Sequence, residues 1–263
     1  MLRPVSFSAM SQLRIRPGSQ ICSRWHDMTL LQMHGLVRGE AAHNPTAPEH
    51  RLLLCDSLGA LVTELSKEFD FENPDDLADW ATRHHGILLA YCAQGPVLPL
   101  AIGSVFSSEE ALKAKLIERH AEHLRVLDML SGIEEYTVQL FPKDRIAAPS
   151  KAPLTGRRFL KARQVKRDQR RDLKTNQTAF ACDLLAELQN MSLRPSTPDA
   201  KPGRLLNKTI LIRKDTVSKL QELAAVSDQL ARDLSLELKI TGPWPPYSFD
   251  PSETYMQESC RAG

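Results

Sequence analysis

The chain has 263 residues, 42% of them hydrophobic, and a formal net charge of +2. That is apolar material for one large domain or two modest ones, and no run approaches the roughly 18 consecutive apolar residues that a membrane-spanning helix needs. Cys22, Cys55, Cys92, Cys182 and Cys260 form no CxxC pair, which gives neither a zinc set nor a disulfide framework and reads as scattered thiols of a reducing cytoplasm.

The small net charge conceals a division. Residues 28–142 hold 8 Lys/Arg against 17 Asp/Glu, whereas residues 143–174 hold 12 against 3. Such a split points to nucleic acid, to an acidic partner, or to two parts of the chain facing each other. Residues 1–27 carry four Arg, one Asp and no sustained apolar run. They are expected to be a disordered extension or an over-long start ahead of Met28, with an Arg-rich transit peptide as the other reading.

From Met28 onward the elements follow in order. TLLQMHGLV (29–37) is short and apolar, as in a buried strand. RLLLC (51–55) and ALVTEL (60–65) flank Asp56-Ser57-Leu58-Gly59, a hairpin pattern. Asn73-Pro74 followed by Asp75, Asp76 and Asp79 begins a helix that runs to Gly95-Pro96, with Leu77, Trp80, Ala81, His84, Leu88 and Tyr91 at helical steps. VLPLAIGSVF (97–106) reads as one extended run, at an edge or bulged at Pro99, and open to strand addition by a client. Ser107 and Glu110 suggest a capping box for a single helix over 108–131, and EYTVQLF (135–141) a strand.

The expected class is α+β with two domains. Residues 28–142 read as an N-terminal ferredoxin-like sandwich with an added strand, and 143–156 as a linker. Residues 157–249 read as a C-terminal α+β domain with a long helix (157–191), a strand (206–212), a helix (216–231) and an alternating strand (234–242); 250–263 is a tail.

Two stretches stand out as candidate binding surfaces. Residues 157–174 contain nine Lys or Arg, with Arg157, Arg158, Lys161, Arg163, Lys166, Arg167, Arg170 and Arg171 the candidate contacts. That density suits phosphates or an acidic partner, yet a single aromatic, Phe159, stands among the cations, too few to stack successive bases. It also suits a solvated helix face. TGPWPPYSF (241–249) must run extended, because its three prolines forbid a helix or a central strand. Trp244, Tyr247 and Phe249 either clamp one end of a domain or anchor an apolar partner. His120 and His123 lie one helical turn apart but lack further ligands, and adjacent His84 and His85 point apart. No phosphate-binding Gly-rich loop, nucleophile elbow or HExxH is present, so no catalytic residue, cofactor or metal site is assigned.

The stretch GPVLPLAIGSVFSSEEALKAKLIERHAEHLRVLDMLSGIEEYTVQLF (95–141), the basic run RRFLKARQVKRDQRR (157–171) and ITGPWPPYSF (240–249) resemble, in order and spacing, blocks of the GvpL/GvpF gas vesicle family. Ala101 stands where that family usually carries a positive charge. The resemblance covers residues 29–249 and implies two α+β domains and no enzymatic activity. It further implies a minor gas vesicle component that assists assembly, cytoplasmic until incorporated. The implied partners are the hydrophobic shell protein GvpA, kept from aggregating, and other accessory proteins. A nucleic-acid or regulatory binding protein acting through 157–174 is the alternative.

Overall fold

The structure, a computed structural model, describes residues 30–39, 50–65, 73–143, 156–194 and 202–249. The expected extension (1–27), most of the expected linker and the tail (250–263) lie outside the described residues. The chain divides into two units, one running to Gly132 and resuming at Pro245, the other spanning Ile133–Trp244.

The first unit is built on β1 (Leu31–Arg38), β2 (Arg51–Cys55), β3 (Leu58–Glu64), β4 (Val97–Pro99) and β5 (Val105–Phe106). They form an antiparallel sheet in the order β2-β3-β1-β4, with β5 also on β1. Strand β1 has neighbours on both sides and helices over both faces, and seven of its eight residues are buried. This is why its sequence reads as a nearly unbroken apolar run. Along β3 the side chains alternate. Ala60 and Val62 join Met33 and Leu36 under Leu112 and Leu116 of α2 (Glu109–Glu118), while Leu61 joins Val37 under Ile87, Leu88 and Tyr91 of α1 (Pro74–Cys92). A Cβ at Gly35 would stand 2.7 Å from Leu88 Cδ2 and 2.9 Å from the Leu98 carbonyl oxygen. The close seat of α1 on β1 therefore requires glycine there. Helix α1 starts as its sequence demands, with Asn73 Oδ1 accepting from the Asp75 N–H at 3.0 Å and Pro74 in the first turn.

Three expectations are corrected. The single helix over 108–131 is two, α2 and α3 (His120–Leu130), broken at Arg119, whose φ of −123° and ψ of 25° are not helical. The break lets α2 pack against β2 and β5 while α3 packs against β1, β3 and β4. The cap is Ser108, whose Oγ accepts from the Ala111 N–H at 3.2 Å. The run 97–106 is interrupted by a turn at 101–104. The buried Gln32 side chain holds it, accepting from the Gly103 N–H at 2.9 Å. The run therefore meets β1 as two short pieces, three residues in β4 and two in β5, and presents no continuous edge for strand addition. Third, residues 135–141 do not complete a ferredoxin-like sheet with the preceding strands.

That stretch is β6 (Ile133–Pro142), the middle strand of the second unit's antiparallel sheet, ordered β7-β6-β8. Its neighbours are β7 (Leu206–Arg213) and β8 (Leu236–Trp244). Val138 and Leu140 of β6, Ile210 and Ile212 of β7 and Leu236 of β8 share a core with Leu184 and Leu188 of α4 (Arg157–Met191) and Leu220 and Ala231 of α5 (Val217–Asp233). The alternating stretch expected from Leu234 starts two residues later, because Leu234 caps α5 and Ser235 turns the chain at φ 56°.

Candidate partner-binding surface

Helix α4 has 35 residues, about 52 Å at 1.5 Å per residue. Only its C-terminal half is held by the core of its unit: Ala181, Leu184 and Leu188 are buried, and Phe180, Leu185 and Met191 pack beside them. From 157 to 172 the described side chains are exposed, apart from half-buried Asp168. Arg157, Lys161, Arg163, Lys166, Arg167, Arg170 and Arg171 are all exposed; Arg158 lies in the helix, with its side chain outside the described residues. Apolar side chains stand uncovered among them: Phe159 is 47% exposed, Leu160 65% and Val165 48%.

The charges of this half are sorted by face. Asp168 and Asp172 lie beside Arg171, at 3.8 and 3.7 Å. Arg163, Lys166, Arg167 and Arg170 have no carboxylate partner among the described residues, and with Leu160 and Gln164 they line an open recess of about 610 Å³. A recess walled by four cations lacks the apolar enclosure of a small-molecule pocket.

The aromatic candidates belong to different units. Trp244 ends β8 in the second unit, paired with Glu135, whereas Tyr247 and Phe249 belong to the first. There Pro245 and Pro246 are buried, Phe249 is half-buried, and the Tyr247 hydroxyl is 2.9 Å from Nδ1 of His85 on α1. The Tyr247 ring also stacks on His84, with centroids 6.4 Å apart. These contacts fit a clamp at Tyr247.

Sequence reasoning missed a buried polar chain beneath that clamp. His34 of β1 and His84 of α1 meet Nδ1 to Nδ1 at 2.9 Å, and His34 Nε2 is 2.9 Å from Thr63 Oγ1 of β3. Whichever ring donates, the other accepts, and the Thr63 hydroxyl adapts. Burial is the main cause that pushes His34 down from 6.5 to about 3, helped by His84, His50 and Arg83. Burial and His85 push His84 down to about 4. His50, also buried, lies 3.1 Å from the Tyr91 hydroxyl. The signal available in the sequence was a histidine inside an apolar strand opposite a histidine on the apolar face of a helix. His120 Nε2 is 3.2 Å from Ser57 Oγ, and burial is the main cause that lowers the His123 pKa. Among the described residues no three His, Cys, Asp or Glu side chains converge as a metal set, and no helix is long and apolar enough to cross a membrane.

Comparison with known families gives a match over residues 42–251 to the model described as gas vesicle synthesis protein GvpL/GvpF. The chain belongs to the GvpL/GvpF family. The chain is 25% identical over 223 residues to gas vesicle protein L of Haloferax mediterranei, covering 74% of this chain and 69% of that one. To gas vesicle protein L of a Streptomyces species it is 25% identical over 236 residues, covering 81% and 87%. The crystal structure of gas vesicle protein GvpF from Anabaena superposes with a TM-score of 0.60 at 15% identity, over 84% of this chain and 97% of that one. That from Microcystis aeruginosa gives 0.59 at 14% identity, over 84% and 98%. The mixed helix-and-sheet fold with antiparallel sheets is thus the fold of GvpF, and the family ties the chain to the gas vesicle rather than to an enzyme class.

Proposed function

We propose that this member of the family is an accessory component that assists gas vesicle assembly by binding the hydrophobic shell protein GvpA and limiting its aggregation, cytoplasmic until it is incorporated. One observation carries the reading beyond family membership. A helix half about 24 Å long stands clear of its own core while displaying Phe159, Leu160 and Val165. Large exposed apolar side chains cost solubility unless a partner covers them, and a ring of charge around them keeps the free protein dispersed. Other accessory proteins of the vesicle are further partners. The basic density of the same half is the ground for a nucleic-acid reading, which family membership does not favour.

The test is co-expression with the shell protein, followed by pull-down and measurement of the soluble shell fraction. Association and a larger soluble fraction are expected. The double variant Phe159→Ser, Val165→Ser should lose most of both effects while remaining folded, since neither side chain belongs to a core. Absence of association with the unaltered protein would remove the shielding role.

A further inference from the structure

The positions through which α4 meets its own core step by three and four: Gln177, Ala181, Leu184, Leu188 and Met191. The same steps carried toward the N-terminus give Lys174, Arg170, Arg167, Arg163 and Leu160, all exposed. One continuous seam therefore runs the length of the helix, with a spacing of 3.5 residues on average, the period at which two helices lie along each other. Its C-terminal half is occupied by the unit's own core. Its N-terminal half is uncovered, and its character changes from aliphatic to cationic. Four successive seam positions carry Arg or Lys, and none of the four has a carboxylate partner among the described residues. Phe159 and Leu160 lie at one end of this cationic stretch and Leu173 at the other, with Lys166 flanking its middle.

We infer that the seam from Leu160 to Lys174 is a docking track for an acidic amphipathic helix of a partner protein, laid along α4. This names the partner chemistry for the helix half invoked above, and rests on that reading only for the partner being a vesicle component. The complementary helix carries carboxylates at alternating three- and four-residue steps over about 21 Å, with an apolar residue at each end to cover Phe159–Leu160 and Leu173. Charge complementarity sets the register and the partner's choice, since a like-charged or neutral helix would leave the guanidinium groups desolvated and unpaired. A nucleic-acid backbone fits less well. It offers nothing to the apolar ends, and it would not single out the seam from the off-seam cations Arg157, Lys161 and Arg171.

The track is tested with a synthetic helical peptide of about three heptads bearing Glu at seam positions and Leu at the ends, titrated by fluorescence anisotropy into the full chain at about 0.1 M salt. The Glu peptide should bind. The triple variant Arg163→Glu, Arg167→Glu, Arg170→Glu should weaken it by about tenfold or more and should instead bind the corresponding Lys peptide. Arg157→Glu, Lys161→Glu should leave the Glu peptide within about twofold of the unaltered protein. The charge-swap rescue reports on the seam even if the variant is less stable. The inference is overturned if a peptide of the same composition with its Glu residues off the seam binds equally well, if the triple variant binds the Glu peptide unchanged, or if duplex DNA outcompetes the peptide at equal charge. Shell-protein pull-down does not enter this measurement, so the track and the shielding role fail separately.

Discussion

His34 and His84 are neutral in the fold because their pair is sealed between β1 and α1, where a charged ring would lose its hydration. Both titrate far below the ordinary value of 6.5, near 3 and near 4. In the unfolded chain each ring binds a proton as the pH falls through 6.5, whereas in the fold it does not. Stability from the pair is complete above 6.5 and is lost as the pH drops through the folded values, near 4 for His84 and near 3 for His34. Denaturant unfolding at pH 7.5, 6 and 5 should show the midpoint falling, and His84→Gln should flatten the dependence in part, the remainder coming from the other histidines that burial depresses. A midpoint independent of pH over that range would show that the rings are hydrated in solution. Lys208 is a second buried group that the pattern hid: opposite Val138 on the core side of β7, it is 1% exposed, and burial lowers its pKa.

At the scale of elements, α4 is one helix with two stabilities. Residues 177–191 are fixed by core contacts and by Gln177 Nε2 donating to the Leu234 carbonyl at 2.8 Å. Among the described residues, 157–172 have only helix propensity and the Asp168–Arg171 and Asp172–Arg171 pairs, which at the surface contribute little. Neighbouring cations along the seam repel one another in the free protein. Amide exchange should therefore be at least about a hundredfold faster in 157–170 than in 181–190. The acidic peptide should slow the first range and leave the second unchanged. Equal protection along the whole helix in the free protein would mean that something already covers its N-terminal half.

For the whole molecule, the uneven charge and the exposed apolar side chains assign two kinds of attraction to one helix half. They respond oppositely to salt. Ion pairs along the track weaken as the Debye length shrinks from about 10 Å at 0.1 M to about 3 Å at 1 M, whereas burial of Phe159 and Val165 is not screened. Raising salt from 0.1 to 1 M should cost the acidic peptide most of its affinity while the shell protein stays bound in the pull-down. Joint loss of both would make the shell contact ionic and displace the apolar mechanism.

Most elements are written locally, and for that reason they were legible in the sequence. Asn73-Pro74 starts α1, a helical stretch that is amphipathic in its later half and charged in its first spans α4 from 157 to 191, and Asp56-Ser57 turns β2 into β3. Each depends on side chains within a few residues of one another. The sequence also marked the cations of 157–174 and carried the family blocks. What it left open depends on partners distant in the chain. A strand's alternation says which face is apolar but not which sheet it joins, so the sequence of β6 is compatible with the first unit, and only its pairing with β7 and β8 assigns it to the second. Packing of α2 and α3 on different strands decided the break at Arg119. Only the tertiary structure could show which half of the α4 seam is filled by a core and which is left bare, because a stripe's position on a helix is local and its occupancy is not.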